Sequence, residues 1–184
     1  MFKQISCLSF LIALGMTTAN AASTGTITFN GELTDTTCDV DVNGQGTDAT
    51  VTLPTVSINQ LTKAGLTTGR TSFNFNLSKC VIGTKGGHSK VAAFFQPGNT
   101  VDLSTGRLKN VGGDATMVDL QLLDASGNYS PIKVGNTDQV NDMTYVDIKS
   151  DGTALLPYSV EYYANGQTTA GTVTSSVVYN LQYK

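Results

Sequence analysis

The chain alternates between apolar and polar positions over most of its length. From Gly25 to Leu33, Ile27, Phe29 and Leu33 fall on one parity and Thr26, Thr28 and Glu32 on the other. Side chains of an extended strand point alternately to its two faces, so this period predicts a half-buried strand. Thr71 to Leu77 sets Phe73, Phe75 and Leu77 against Ser72, Asn74 and Asn76. Thr116 to Leu123 sets Val118, Leu120 and Leu122 against Asp119 and Gln121, and Ala154 to Tyr163 puts Tyr158, Val160 and Tyr162 on one face. The last segment, Thr172 to Lys184, groups Val173, Val177, Tyr179, Leu181 and Tyr183, with Ser175 as a polar exception. Ala49 to Leu53 reads as a short strand ended by Pro54, Lys90 to Gln96 as a mostly apolar strand, and Ser57 to Ala64 as a helical turn or a loop. Gly, Asn and Asp separate these segments. About seven or eight short strands with no long amphipathic helix predict one all-β domain, a sandwich or a barrel.

The N-terminus follows another rule. Lys3 gives a positive start, Leu8 to Met16 is apolar, and Ala19-Asn20-Ala21 is small at both positions a signal peptidase reads. Residues 1–21 are therefore expected to be a secretory signal peptide, cut after Ala21 and leaving Ala22 first. The apolar stretch is too short to span a bilayer. Cys7 leaves with the leader, so the exported chain keeps Cys38 and Cys80. Two cysteines in an exported chain read as one disulfide, and its loop of about 40 residues is worth roughly 4 kcal/mol in the chain-entropy model. Two isolated cysteines and His88 are too few ligands for zinc, so no metal is expected.

Composition narrows the function. Charged residues are only 14% of the 184 and the net charge is −3, with no basic run to attract a phosphate backbone. Nucleic acid is not an expected partner. His88 sits in a Gly-rich turn without a nucleophile motif nearby, and neither G-x-S-x-G nor H-E-x-x-H occurs. Asp147 to Gly152 lacks the spacing of a calcium loop, and Gly83 to Gly87 lacks a Walker ending. The expectation is a non-enzyme without a cofactor. Trp, which carbohydrate-binding modules commonly display, is absent.

The two ends are more specific. Gly25-Thr26-Ile27-Thr28-Phe29-Asn30-Gly31-Glu32-Leu33, followed by Thr37-Cys38-Asp39-Val40, resembles the opening of chaperone–usher pilus subunits, with type 1 major pilins the nearest likeness. Pro157-Tyr158 through Gly166 resembles the penultimate strand and turn of that family. The last strand resembles its C-terminal signature, with Gly171 fourteenth from the end and Tyr183 next to last. Cys38 and Cys80 match the family's single disulfide.

The resemblance implies an incomplete immunoglobulin-like β-sandwich, completed by donor-strand exchange. Residues 22–30 would be the N-terminal donor extension and 31–184 the pilin domain. Gly25, Ile27 and Phe29 would be donor residues. Gly171, Val173, Val177, Tyr179, Leu181 and Tyr183 would line the acceptor groove, and the Lys184 carboxylate would anchor a chaperone. The implied partners are other copies of the chain, other fimbrial subunits, a periplasmic chaperone, an outer-membrane usher and a host surface. The implied route runs through the periplasm to a fimbrium on the bacterial cell surface. A structural subunit supporting adhesion is the first reading. A minor tip or adaptor subunit with a receptor-binding role is the second, and an unrelated secreted sandwich the third. N-terminal sequencing of the exported chain is expected to start at Ala22; a start at Met1 would contradict the leader.

Overall fold

A computed structural model describes residues 25–82 and 87–184. The leader expected at 1–21, and residues 22–24 of the expected donor extension, lie outside the described residues. The chain divides into two units, residues 1–32 and Leu33–Lys184. In the first, residues 25–32 form neither strand nor helix, and Ile27 and Phe29 are 78% and 88% exposed. The strand predicted for Gly25 to Leu33 is thus not formed. Alternation prepares a segment for a sheet, but an extended segment without partner strands is marginal in water.

The second unit is two antiparallel sheets. Strands β1 (Thr37–Val42), β2 (Thr67–Val81), β3 (Lys90–Phe95), β4 (Val101–Asp102), β5 (Arg107–Lys109), β6 (Val118–Asp124) and β7 (Ser130–Pro131) come first. A four-residue helix α1 (Gln139–Asp142), then β8 (Val146–Asp147), β9 (Ala154–Ala164) and β10 (Tyr179–Tyr183) complete the order. One sheet runs β1-β2-β9-β6-β5-β4, with β7 on β6; the other runs β10-β3-β8. The short strands β4, β5, β7 and β8 were not anticipated, because two or three residues are too few to show a period. Ser57 to Ala64 resolves as a 3-10 turn at Ile58–Gln60, capped by the Ser57 side chain.

Period two governs what is buried. Phe73, Phe75 and Leu77 of β2, Leu120 and Leu122 of β6, and Leu156, Tyr158 and Val160 of β9 face Val91, Ala93 and Phe95 of β3 across one core. Asp119, expected on an outer face, is buried too, and its carboxylate accepts a hydrogen bond from Asn165 Nδ2 at 2.7 Å. Two polar contacts tie buried backbone into this core. The Ala93 N–H donates to the Tyr158 hydroxyl at 3.0 Å. The Gln139 amide serves Phe95 twice: its Oε1 accepts from the Phe95 N–H at 3.2 Å and its Nε2 donates to the Phe95 carbonyl at 2.9 Å. Cys38 and Cys80 are bonded as expected, fastening β1 to the end of β2.

Burial pushes the Tyr158 phenol up to about 12, from an ordinary 10.0. Its neutral form is favoured in the fold, so this contribution to stability is intact below pH 10.0 and fades as pH rises from 10.0 to about 12. Tyr158→Phe should cost about 1–3 kcal/mol at neutral pH, because it leaves the Ala93 N–H unpaired. Urea unfolding should show a lower midpoint at unchanged slope, and the variant should lack the Tyr158 share of the alkaline loss.

Candidate functional site

The second unit has a slot where a strand would be expected. Its cavity, of about 700 Å³, runs between the extended segment 47–53 and the segment 173–179. The floor is apolar: Phe73, Phe75, Phe95, Leu108, Leu120, Leu122 and Val160. Each wall is a length of backbone with one side unused. Among the described residues, the N–H and C=O groups of Ala49, Val51 and Leu53 have no hydrogen-bond partner, and neither do those of Val173, Ser175 and Val177. Buried backbone polar groups are almost always paired, so two facing rows of unused donors and acceptors mark a place for more backbone.

The C-terminal wall is held from behind. Thr174 N–H donates to Asn110 Oδ1 at 2.8 Å, and Asn110 Nδ2 donates to Thr172 O at 3.1 Å. The Asp114 carboxylate accepts from Thr172 N–H and Oγ1 at 2.6 and 2.9 Å, and these bonds hold its pKa below the usual carboxylate range. Val111 N–H donates to Thr174 O at 3.0 Å and Gln96 N–H to Val178 O at 2.8 Å. The bonds that hold this wall thus fall on Thr172, Thr174, the Ser176 carbonyl and the Val178 carbonyl, while the unused groups of Val173, Ser175 and Val177 are left to the slot. This corrects the expectation of one strand from Thr172 to Lys184: a regular ladder begins only at Tyr179, because residues 172–174 pair largely with side chains. Ala49 to Leu53 is likewise extended without a ladder; among the described residues it is held on one side by the Gln45 amide on Thr50 N–H and C=O.

The other wall is pinned at its ends by two tyrosines. Tyr179 Oη donates to Thr47 O at 2.8 Å, and Tyr162 Oη donates to Pro54 O at 3.3 Å. Burial raises both phenols above their ordinary value, so both remain proton donors at neutral pH. The Tyr179 ring also stands edge-on to Phe75, with centroids 4.6 Å apart. The floor and both walls thus meet at one aromatic contact.

Of the expected groove residues, the structure brings Val173, Val177 and Tyr179 to the slot. Leu181 and Tyr183 lie further along β10, opposite Ala93 and Val91, and pack against the core rather than lining the cavity. Gly171 does not line it either. A Cβ there would stand 2.5 Å from Ala115 N, so this glycine lets the C-terminal segment cross the 110–115 loop. Gly25, Ile27 and Phe29 belong to the other unit, where Gly25 has open space around it. Sequence reasoning missed the 47–54 wall, the Asn110 and Asp114 clasp, and Tyr162 as a pin. The alternation of Ala49, Val51 and Leu53 before Pro54 was the available signal for the wall. Ser175 was noted as an exception, and its Oγ is buried without a partner.

Comparison with known proteins gives a consistent picture. The family model for the type-1 fimbrial protein, A, matches residues 53–184. The major fimbrial subunit SMF-1 of Stenotrophomonas maltophilia is 46% identical over 177 residues, covering 94% of this chain and 99% of that protein. The F17 fimbrial protein of Escherichia coli is 37% identical, covering 99% of both chains. The crystal structure of the P pilus rod subunit PapA superimposes with a TM-score of 0.61 at 20% identity, over 80% of this chain and 99% of that one. The incomplete immunoglobulin-like sandwich expected from the sequence is therefore the fold.

The crossing of the C-terminal wall is tight, since a Cβ on Gly113 would stand 2.0 Å from Thr172 O. Gly113→Ala should cost about 1–3 kcal/mol through overpacking. Urea unfolding of the monomer should show the loss; an unchanged midpoint would mean that the clasp is loose.

Proposed function

The chain belongs to the type-1 fimbrial protein family, and from that premise we propose that copies of it join by strand donation into the rod of a fimbria. It is a structural subunit, like the major subunits it resembles, and those relatives favour the rod over a minor tip or adaptor role. In the proposed joint, the leading segment of one copy, residues 22–30, enters the slot of the next. It makes ladder bonds to both walls and points Gly25, Ile27 and Phe29 at the apolar floor. The observation that carries this reading is the double row of unused backbone groups facing each other across the slot.

The energetics fit the proposal. Burying Ile27 and Phe29 is worth roughly 1.5–3 kcal/mol each. About half a dozen ladder bonds contribute about 0.5–1.5 kcal/mol each. Association costs of about 4–15 kcal/mol offset much of that gain, so durability rests on slow unfolding of the completed sandwich. A slip of one residue would turn Thr26 and Thr28 inward, which fixes the register. Before assembly, the wet floor and open edges would invite stray pairing. This supports transit through the periplasm under a chaperone that lends a strand, exchange at an outer-membrane usher, and display of the fimbria on the cell surface, where it would support adhesion.

A mature chain lacking residues 22–30 should fail to form fibres with itself, yet still take up a synthetic peptide of residues 22–33. Size-exclusion chromatography and electron microscopy read the first outcome and fluorescence anisotropy the second. Continued self-polymerisation of the truncated chain would reject strand donation. Phe29→Asp in the peptide should weaken uptake at least about tenfold, since it places an unpaired charge in an apolar site.

A further inference from the structure

Three Asn-Gly pairs occur in the chain: Asn30-Gly31, Asn43-Gly44 and Asn165-Gly166. This pair is chemically labile, because glycine has no Cβ to keep its amide nitrogen away from the asparagine side chain and its backbone dihedrals are permissive. The structure treats the three pairs differently. Asn43 Oδ1 accepts from Asn74 N–H at 2.8 Å, while Gly44 N–H donates to Asp41 Oδ2 at 2.9 Å. Asn165 Nδ2 donates to the buried Asp119 carboxylate at 2.7 Å. Asn30 and Gly31 are exposed, lie outside any strand or helix, and make no hydrogen bond among the described residues. A Cβ placed on Gly31 would meet nothing within 4 Å.

We infer that Asn30 is a site of spontaneous modification, open in the unassembled subunit and shielded once its strand is seated. The Gly31 amide nitrogen attacks Asn30 Cγ. A C–N bond forms, the bond to the side-chain amide nitrogen breaks, and that nitrogen leaves as ammonia with the Gly31 proton. Water then opens the cyclic imide to isoaspartate or aspartate. At Asn43 and Asn165 a hydrogen bond must open first, and each such bond slows attack by roughly tenfold or more.

The shielding half rests on the strand-donation reading. The slot wall from Val173 to Tyr179 is seven residues long, the length of residues 24–30 that end the donor segment on Asn30. A strand seated between two walls is held extended up to Asn30, which keeps the Gly31 nitrogen from turning onto Asn30 Cγ. Isoaspartate adds one backbone atom and a carboxylate within the donor segment, which breaks the alternation that sets register. Unassembled subunits thus carry a mark of age that spoils them as donors.

The test incubates the mature monomer, the fibres it forms and the Gly31→Ala monomer in mildly alkaline buffer, with isoaspartate located by peptide mass mapping. The expected result is conversion at Asn30 roughly tenfold or more faster than at Asn43 and Asn165 in the monomer, with a comparable suppression in fibres. Aged wild-type monomer should then polymerise less in proportion to its isoaspartate, while Gly31→Ala, aged equally, polymerises fully, since an added Cβ there meets nothing within 4 Å. Equal rates at the three sites, or none at Asn30, overturn the inference and leave strand donation untouched. Selective conversion in the monomer that continues undiminished in fibres overturns strand donation instead. Full polymerisation of isoaspartate-bearing monomer overturns the effect on donation.

Discussion

The structure turns on hydrogen bonds that are not made. A sandwich normally pairs nearly every buried backbone group, and the cost of leaving one unpaired is a large part of what drives a sheet to closure. Here Ala49, Val51 and Leu53 face Val173, Ser175 and Val177 with no other described residue pairing between them, above a floor of Phe, Leu and Val side chains. In the proposed assembly that deficit is met by another copy, whose leading segment carries alternation of the same period.

An open slot must also be kept open. Collapse of either wall would bury the floor and satisfy the unused amides by poor contacts. The C-terminal wall is clasped from behind by Asn110 and Asp114, and two glycines allow the close crossing that this clasp needs. The opposite wall hangs between two tyrosine hydroxyls, at Thr47 and at Pro54. The walls are therefore of unequal stiffness: one is fixed by several short bonds, the other by two end pins and the Gln45 amide on Thr50. A strand seated against the stiff wall would find the softer wall able to adjust to it.

Much of this was legible in the chain because burial writes itself in period two. Phe73, Phe75 and Leu77, or Leu120 and Leu122, lie where the pattern put them. Cys38 and Cys80, the pair expected to remain if a leader carries Cys7 away, are the pair that is bonded. What the pattern could not show was partnership. Gly25 to Leu33 reads as a strand, yet is none in the isolated chain, because alternation reports which face wants burial and not who supplies the neighbour. Thr172 to Val178 reads as a strand for the same reason, while its ladder is replaced by the Asn110 and Asp114 side chains, whose role depends on a contact some sixty residues away. Gly171 was expected to line the groove, but it sits at a backbone crossing instead.

The vacancy itself is the quantity to measure. Hydrogen–deuterium exchange of the backbone amides of Val51, Leu53, Val173, Ser175 and Val177 should be fast in the isolated subunit and strongly protected in the fibre, while Ala93 and Phe95 stay protected in both. Protection of the slot amides already present in the isolated subunit, or none gained in the fibre, would contradict the account.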